Sequence, residues 1–166
     1  MITSANLAGA GLCDCGDLIS SDCVLVNLRA GTKKQVLQEL ARKAAAITGQ
    51  PEDAIFDVLM ERERLGTTGI GHGIAIPHGK LPGLDRVYGV FAKLERPVDF
   101  DAIDDQPVDL IFLLLAPANS GADHLKALAK VSRMLRDHRL CEKVRGSSSC
   151  EAIYSLMNQT EDRNAA

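Results

Sequence analysis

Tryptophan is absent from this 166-residue chain, and it holds only two tyrosines and four phenylalanines. Stacking platforms for single-stranded nucleic acid are therefore lacking. A strong charge of either sign is lacking too: 19 Lys and Arg against 22 Asp and Glu give a net charge of −3, and no basic stripe is evident. Both absences argue against nucleic acid as the main ligand. The longest apolar run is Leu110–Ala116, far short of the ~20 residues of a membrane helix, so no membrane insertion is expected. No Lys or Arg precedes Arg29, which leaves the N-terminus without the basic region of a signal peptide. The expectation is a cytoplasmic protein. Its cysteines, Cys13, Cys15, Cys23, Cys141 and Cys150, are odd in number and form no CxxC pair, a pattern of free thiols rather than staples. Cys13-Asp14-Cys15 reads as two thiols in a tail, with a redox or metal hook as the alternative.

What is present fits one domain with a real core. Hydrophobic residues make up 46% and charged residues 25%, as in globular proteins generally. Residues 1–17 are rich in Ala, Gly, Ser and Asn and read as a tail. A β-prone run at Cys23–Leu28 precedes a helix capped by Thr32, with Val36, Leu37, Leu40, Ala41, Ala44 and Ile47 at helical spacing and Gly49 as its stop. Pro51 suits the first position of a second helix, ending near Arg64–Gly66. Strands follow at Ile74–Ile76, Arg86–Leu94 and Leu110–Ala116, the last apolar throughout and so covered on both faces. A long helix then places Leu125, Leu128, Val131, Met134 and Leu135 on one face, and shorter helices are expected over Leu140–Val144 and Glu151–Met157. The fold class is α/β, a small mixed sheet covered by helices.

The densest information lies in residues 66–80, which hold five of the fourteen glycines and two of the four histidines. Pro77 fixes its own φ and biases Ile76 toward extension, so His78 is delivered by a rigid strand end. A neutral imidazole with one nitrogen held as N–H is a nucleophile. Phosphoryl acceptance and metal ligation both use such a group. The surrounding glycines, with backbone N–H groups able to form an anion-binding concavity, favour the first; a structural turn histidine is the plain alternative. His124 falls in the first turn of the long helix, beyond an apolar strand, where anions bind; it reads as a second site histidine or as a solvated one. Arg62, just ahead of the glycine stretch, can grip phosphate with a fixed fork of donors or simply answer the helix dipole. Lys80 carries the same two readings. The acidic run Asp99, Asp101, Asp104, Asp105 and Asp109 departs from the calcium-loop template and reads as a surface loop. A zinc site drawing on His72, His78, His124 and a cysteine lacks paired ligand spacing.

Gly69–Lys80, together with Phe100–Leu110 and His124-Leu125, resembles the EIIA domain of the bacterial phosphotransferase system, mannitol/fructose type, and its nitrogen-regulatory branch in particular. The resemblance spans residues 18 to about 158. It implies a single domain over 18–160 with a mixed five-stranded sheet flanked by helices on both faces; the polar residues that follow read as a frayed tail over 161–166. It implies that His78 accepts a phosphoryl group on Nε2 from a phosphorylated HPr-like carrier (NPr), with His124 and Arg62 beside it. Gly71, Gly73, Gly79 and Lys80 are then the expected phosphate-binding positions, with no metal and no cofactor. Regulatory targets such as potassium-transport or sensor-kinase components are the implied partners. Relay of phosphate to a sugar EIIB is the alternative function, and metal binding a third. Where the family often carries Asn between two glycines, this chain has His72.

Overall fold

The computed structural model describes residues 18–165. Six strands and five helices build the domain: β1 (Val24–Leu28), α1 (Lys33–Thr48), α2 (Glu52–Arg64), β2 (Gly69–Gly71), β3 (Ile74–Ala75), β4 (His78–Leu81), β5 (Tyr88–Val98), β6 (Val108–Pro117), α3 (Ala122–Leu135), α4 (His138–Arg145) and α5 (Cys150–Ala165). The residues 1–17 expected as a tail, with Cys13 and Cys15, lie outside the described residues.

Local chemistry sets the first helices. Thr32 accepts from the Gln35 amide at 3.1 Å and caps α1, an interaction worth about 1 kcal/mol. Gly49 ends α1 at φ 78° with its N–H on Ala45 O, a left-handed stop that glycine tolerates. Pro51 is one position earlier than expected: it is the N-cap of α2, not its first residue. The last helix continues past the expected Met157 to Ala165.

The sheet is mixed. β1 runs parallel to β5, β5 antiparallel to β6, and β3 and β4 both run parallel to β6. β2 pairs antiparallel with β3. Six strands thus occupy the five lanes the family resemblance implies, because β3 and β4 share one lane beside β6. The break between them falls at Ile76-Pro77. Proline has no N–H for the ladder, yet its carbonyl still accepts from Leu114 at 3.0 Å. The glycine stretch, read as a loop, is instead a β-hairpin. His72 and Gly73 form its two-residue tip at φ 58° and 80°, the positive angles a primed turn requires.

Each face of the sheet carries its own core. α1 and α2 cover one, packing Val36, Leu40, Ile55 and Leu59 on Ile111, Leu113 and Leu115. The other face packs α3, α4 and α5 on Leu110, Phe112 and Leu114. Every residue from Leu110 to Ala116 is buried. On α3 the inward face differs from the expected one. Leu125 is 65% exposed, while His124 is only 7% exposed and takes an inward position. Cys23, Cys141 and Cys150 are free thiols.

Candidate functional site

Parallel register aligns His78 with Leu114 and Lys80 with Ala116. Side chains of registered neighbours share a face, so His78 and Lys80 lie on the α3 side of the sheet. Gly79 faces the opposite way. A Cβ there would come within 2.3 Å of Val58 Cγ1 on α2, so glycine is what lets α2 lie this close to β4. That close approach carries the C-terminal turn of α2 past the outer edge of β4 to His78.

The hydrogen bonds assign the His78 tautomer. Arg62 Nε donates to His78 Nε2 at 3.2 Å. Guanidinium has no lone pair to offer, so Nε2 is the bare nitrogen. The proton therefore sits on Nδ1, which donates to Ile76 O at 2.9 Å. Arg62 is steadied by a second bond, Nη1 to Gly66 O at 3.0 Å. The neighbouring Glu63 is buried. Its carboxylate accepts from Thr68 N at 3.0 Å and from Thr68 Oγ1, and pairs with Lys33 Nζ at 2.7 Å. This clip ties the end of α2 to the chain entering β2. Sequence reasoning missed Glu63; the available signal was a carboxylate in a last helical turn, where the dipole disfavours it.

His124, from the first turn of α3, faces His78 with ring centroids 5.4 Å apart and planes at 48°. Its burial rules out the solvated reading. His124 Nδ1 is buried without a hydrogen-bond partner among the described residues. Both histidines are pushed below the ordinary imidazole pKa of 6.5. For His78 desolvation dominates; the Ile76 carbonyl opposes it, the Arg62 charge adds to it and Glu63 opposes it. For His124 desolvation again leads, followed by the charges of His78 and Lys80. Two imidazoles held neutral beside two cations make a site that offers a nucleophile and receives an anion.

Gly71 and Gly73 are not brought to His78. Ile74 registers with Leu110 and His78 with Leu114, a separation of about 13 Å along β6. Both glycines are buried among charged side chains that are already in place. Asp104 Oδ2 lies 3.3 Å from a Cβ at Gly71, and Arg145 Nη2 and Asp109 Oδ1 lie 2.6 and 2.9 Å from one at Gly73. The distance from His78 corrects the expectation that these two glycines cradle its phosphoryl group. His72 belongs to the same distant end, edge-on to His138 at 4.9 Å. A single zinc ion cannot draw on His72, His78 and His124 together, and among the described residues no group of three or more ligands could hold a metal. The acidic run is mostly loop, but Asp109 lies within β6 and holds Arg145 through two bonds of 2.9 Å.

The family described as "Phosphoenolpyruvate-dependent sugar phosphotransferase system, EIIA 2" matches residues 17–160. The chain belongs to that family. Within it, similarity runs to nitrogen regulatory proteins. The "Nitrogen regulatory protein" of Bradyrhizobium diazoefficiens is 57% identical over 141 residues, covering 85% of this chain and 92% of that protein. Its Escherichia coli K12 counterpart is 41% identical over 145 residues, covering 87% and 89%. Among solved structures, IIA-Ntr from Neisseria meningitidis superposes with a TM-score of 0.81 at 32% identity, over 86% of this chain and 97% of that one. No helix among the described residues is long and apolar enough to cross a membrane.

Proposed function

We propose that this EIIA-family chain accepts a phosphoryl group on His78 Nε2 from a phosphorylated HPr-like carrier, and that its phosphorylation state governs which regulatory partners it binds. The observation that carries this reading is the His78 tautomer. Nδ1 is spent on Ile76 O, and the bare Nε2 points toward Arg62.

The Nε2 lone pair attacks phosphorus in line. The new N–P bond forms as the N–P bond of the carrier's phosphohistidine breaks, and the carrier's ring nitrogen keeps the released electron pair. The proton on His78 Nδ1 stays where it is. Arg62 must first leave Nε2 and then turn its donors to the phosphoryl oxygens. Lys80 supplies a second cation, and the unpaired His124 Nδ1 supplies a donor once it carries a proton. The donor is already activated, so neither metal nor nucleotide is needed. Exposed Leu65 and Leu125 follow Arg62 by three residues and His124 by one, and offer the carrier apolar contact on both flanks. In the regulatory step, a dianionic phosphoryl group at this patch changes which surface fits it. The similarity to nitrogen regulatory proteins favours regulation over sugar relay.

Incubation of the purified chain with phosphorylated HPr-like carrier tests both steps. The expected result is an acid-labile adduct that a fructose- or mannitol-type EIIB does not efficiently remove. Failure to label overturns phosphoryl acceptance, and efficient onward transfer to EIIB replaces regulation with relay.

A further inference from the structure

Charge is unevenly shared along this chain. Residues 122–145, which form α3 and α4, carry seven Lys and Arg against three Asp and Glu; the remainder carries twelve against nineteen. An excess of +4 thus sits on a protein whose net charge is −3. The linear sequence hides it, because the cations are spaced by helical periods rather than run together. Lys126, Lys130 and Arg133 fall at i, i+4 and i+7 and share one stripe of α3, set away from the inward Ala127, Val131, Met134 and Leu135. Arg136 ends the helix, and Arg139 and Lys143 lie one turn apart on α4. Lys130 is half-buried; the other five are exposed.

Among the described residues none of these six cations is in an ion pair; Arg145, which binds Asp109, is the one cation of the segment that is. Like charges at i, i+4 destabilise a helix, so Lys126–Lys130 and Arg139–Lys143 both work against folding. The helix dipole rewards Arg133 and Arg136 near the C-terminus of α3 but opposes Lys126 near its start. Stability therefore does not account for the stripe. A cleft of about 430 Å³ lies on its flank, lined by Lys126, Lys130 and Arg86 together with Ser120, Asp85 and Asp123.

We propose that the outer face of α3 and α4, with this cleft, docks an acidic surface of another protein. Three observations favour protein over the other polyanions. Asp123, Asp137 and Glu142 interrupt the cations, a mixed pattern that suits register against another folded surface. No Phe, Tyr or Trp lies in residues 122–145 to stack a base. The stripe has no apolar flank of the width that seats an amphipathic helix in lipid; Leu125 is the one large exposed hydrophobic of the segment.

The probe is a decaglutamate peptide, followed by amide NMR shifts on the full chain at 50 and 200 mM salt. The expected result is shifts confined to α3, α4 and residues 85–87, with affinity falling at least tenfold at the higher salt and lost in K126E/K130E/R133E. That variant keeps the residues placed at the phosphoryl site, so it should still label from the carrier like wild type; this separates failure of the docking face from failure of phosphoryl acceptance. Absent shifts, shifts elsewhere, or peptide binding that survives the triple substitution overturn the proposal. Tighter binding of a 20-base-pair DNA duplex or of vesicles rich in phosphatidylglycerol, lost in the same variant, overturns it in favour of those polyanions.

Discussion

Two histidine pairs lie toward opposite ends of the lane beside β6. His78 and His124 stand 5.4 Å apart, and His72 and His138 stand 4.9 Å apart. Each pair has an arginine beside it. What separates them is how each ring and each arginine is held. His124 is buried and His78 half-buried, whereas His72 and His138 are exposed. Arg62 points at a bare imidazole nitrogen. Arg145 is held by both oxygens of Asp109 and reaches only the His72 carbonyl. Proximity of two imidazoles is common to both ends. A fixed tautomer, burial and a cation free to exchange its partner are found at the His78 end alone, and on these the proposed phosphoryl acceptance rests.

The sharpest way to break this contrast is to remove one histidine from each end. His78→Ala should abolish the carrier-derived adduct, while His72→Ala should label within about twofold of wild type, as surface substitutions away from a site usually do. Equal losses would make the two ends alike. Next in size is Arg62→Ala. Loss of one donor to a transferring oxyanion typically costs 10²–10³ in rate, so transfer should slow by about that factor without unfolding; an unchanged rate removes Arg62 from the site. His124→Gln should slow transfer less, since it removes one donor of a set.

The pH profile follows from the lowered pKa of His78. Only the neutral ring attacks. The rate should be flat near neutrality and fall tenfold per pH unit once the pH drops below the folded pKa. Its midpoint should lie below 6.5, and a midpoint above 6.5 contradicts the burial argument. The sign for stability is the same. A depressed imidazole pKa means the unfolded chain binds more protons, so stability falls as pH drops from 6.5 through the folded value. The smallest effect should come from Gly79→Ala. Its Cβ meets Val58 at 2.3 Å, and overpacking of this kind costs about 1–3 kcal/mol. Thermal unfolding measures it, and an unchanged Tm would mean that α2 is not held at van der Waals distance.

Much of this was legible from residue types. Thr32, Gly49 and the unbroken apolar run Leu110–Ala116 announced a cap, a stop and a central strand. Arg62, His78 and His124 stood out at strand and helix ends, each beside a plain structural reading, and the family resemblance grouped them; the structure brings the three side chains together, although 46 residues separate the two histidines. The errors have physical reasons. Gly71 and Gly73 read as an anion cradle because His72 stands where Asn would have signalled a hairpin tip. Leu125 read as core because helical periodicity ranks apolarity, and it could not foresee that His124 would take the inward place. Glu63 had only its unfavourable place in a last helical turn to mark it, because its partners, Thr68 and Lys33, meet it only after α1, α2 and β2 have packed.

The central claim is that one particular nitrogen accepts the phosphoryl group. Phosphosite mapping of the carrier-labelled chain, with the ring nitrogen assigned by NMR, tests it most directly. The account predicts a single phosphoryl group on Nε2 of His78. A group on His124, on His72 or on Nδ1 of His78 would contradict it.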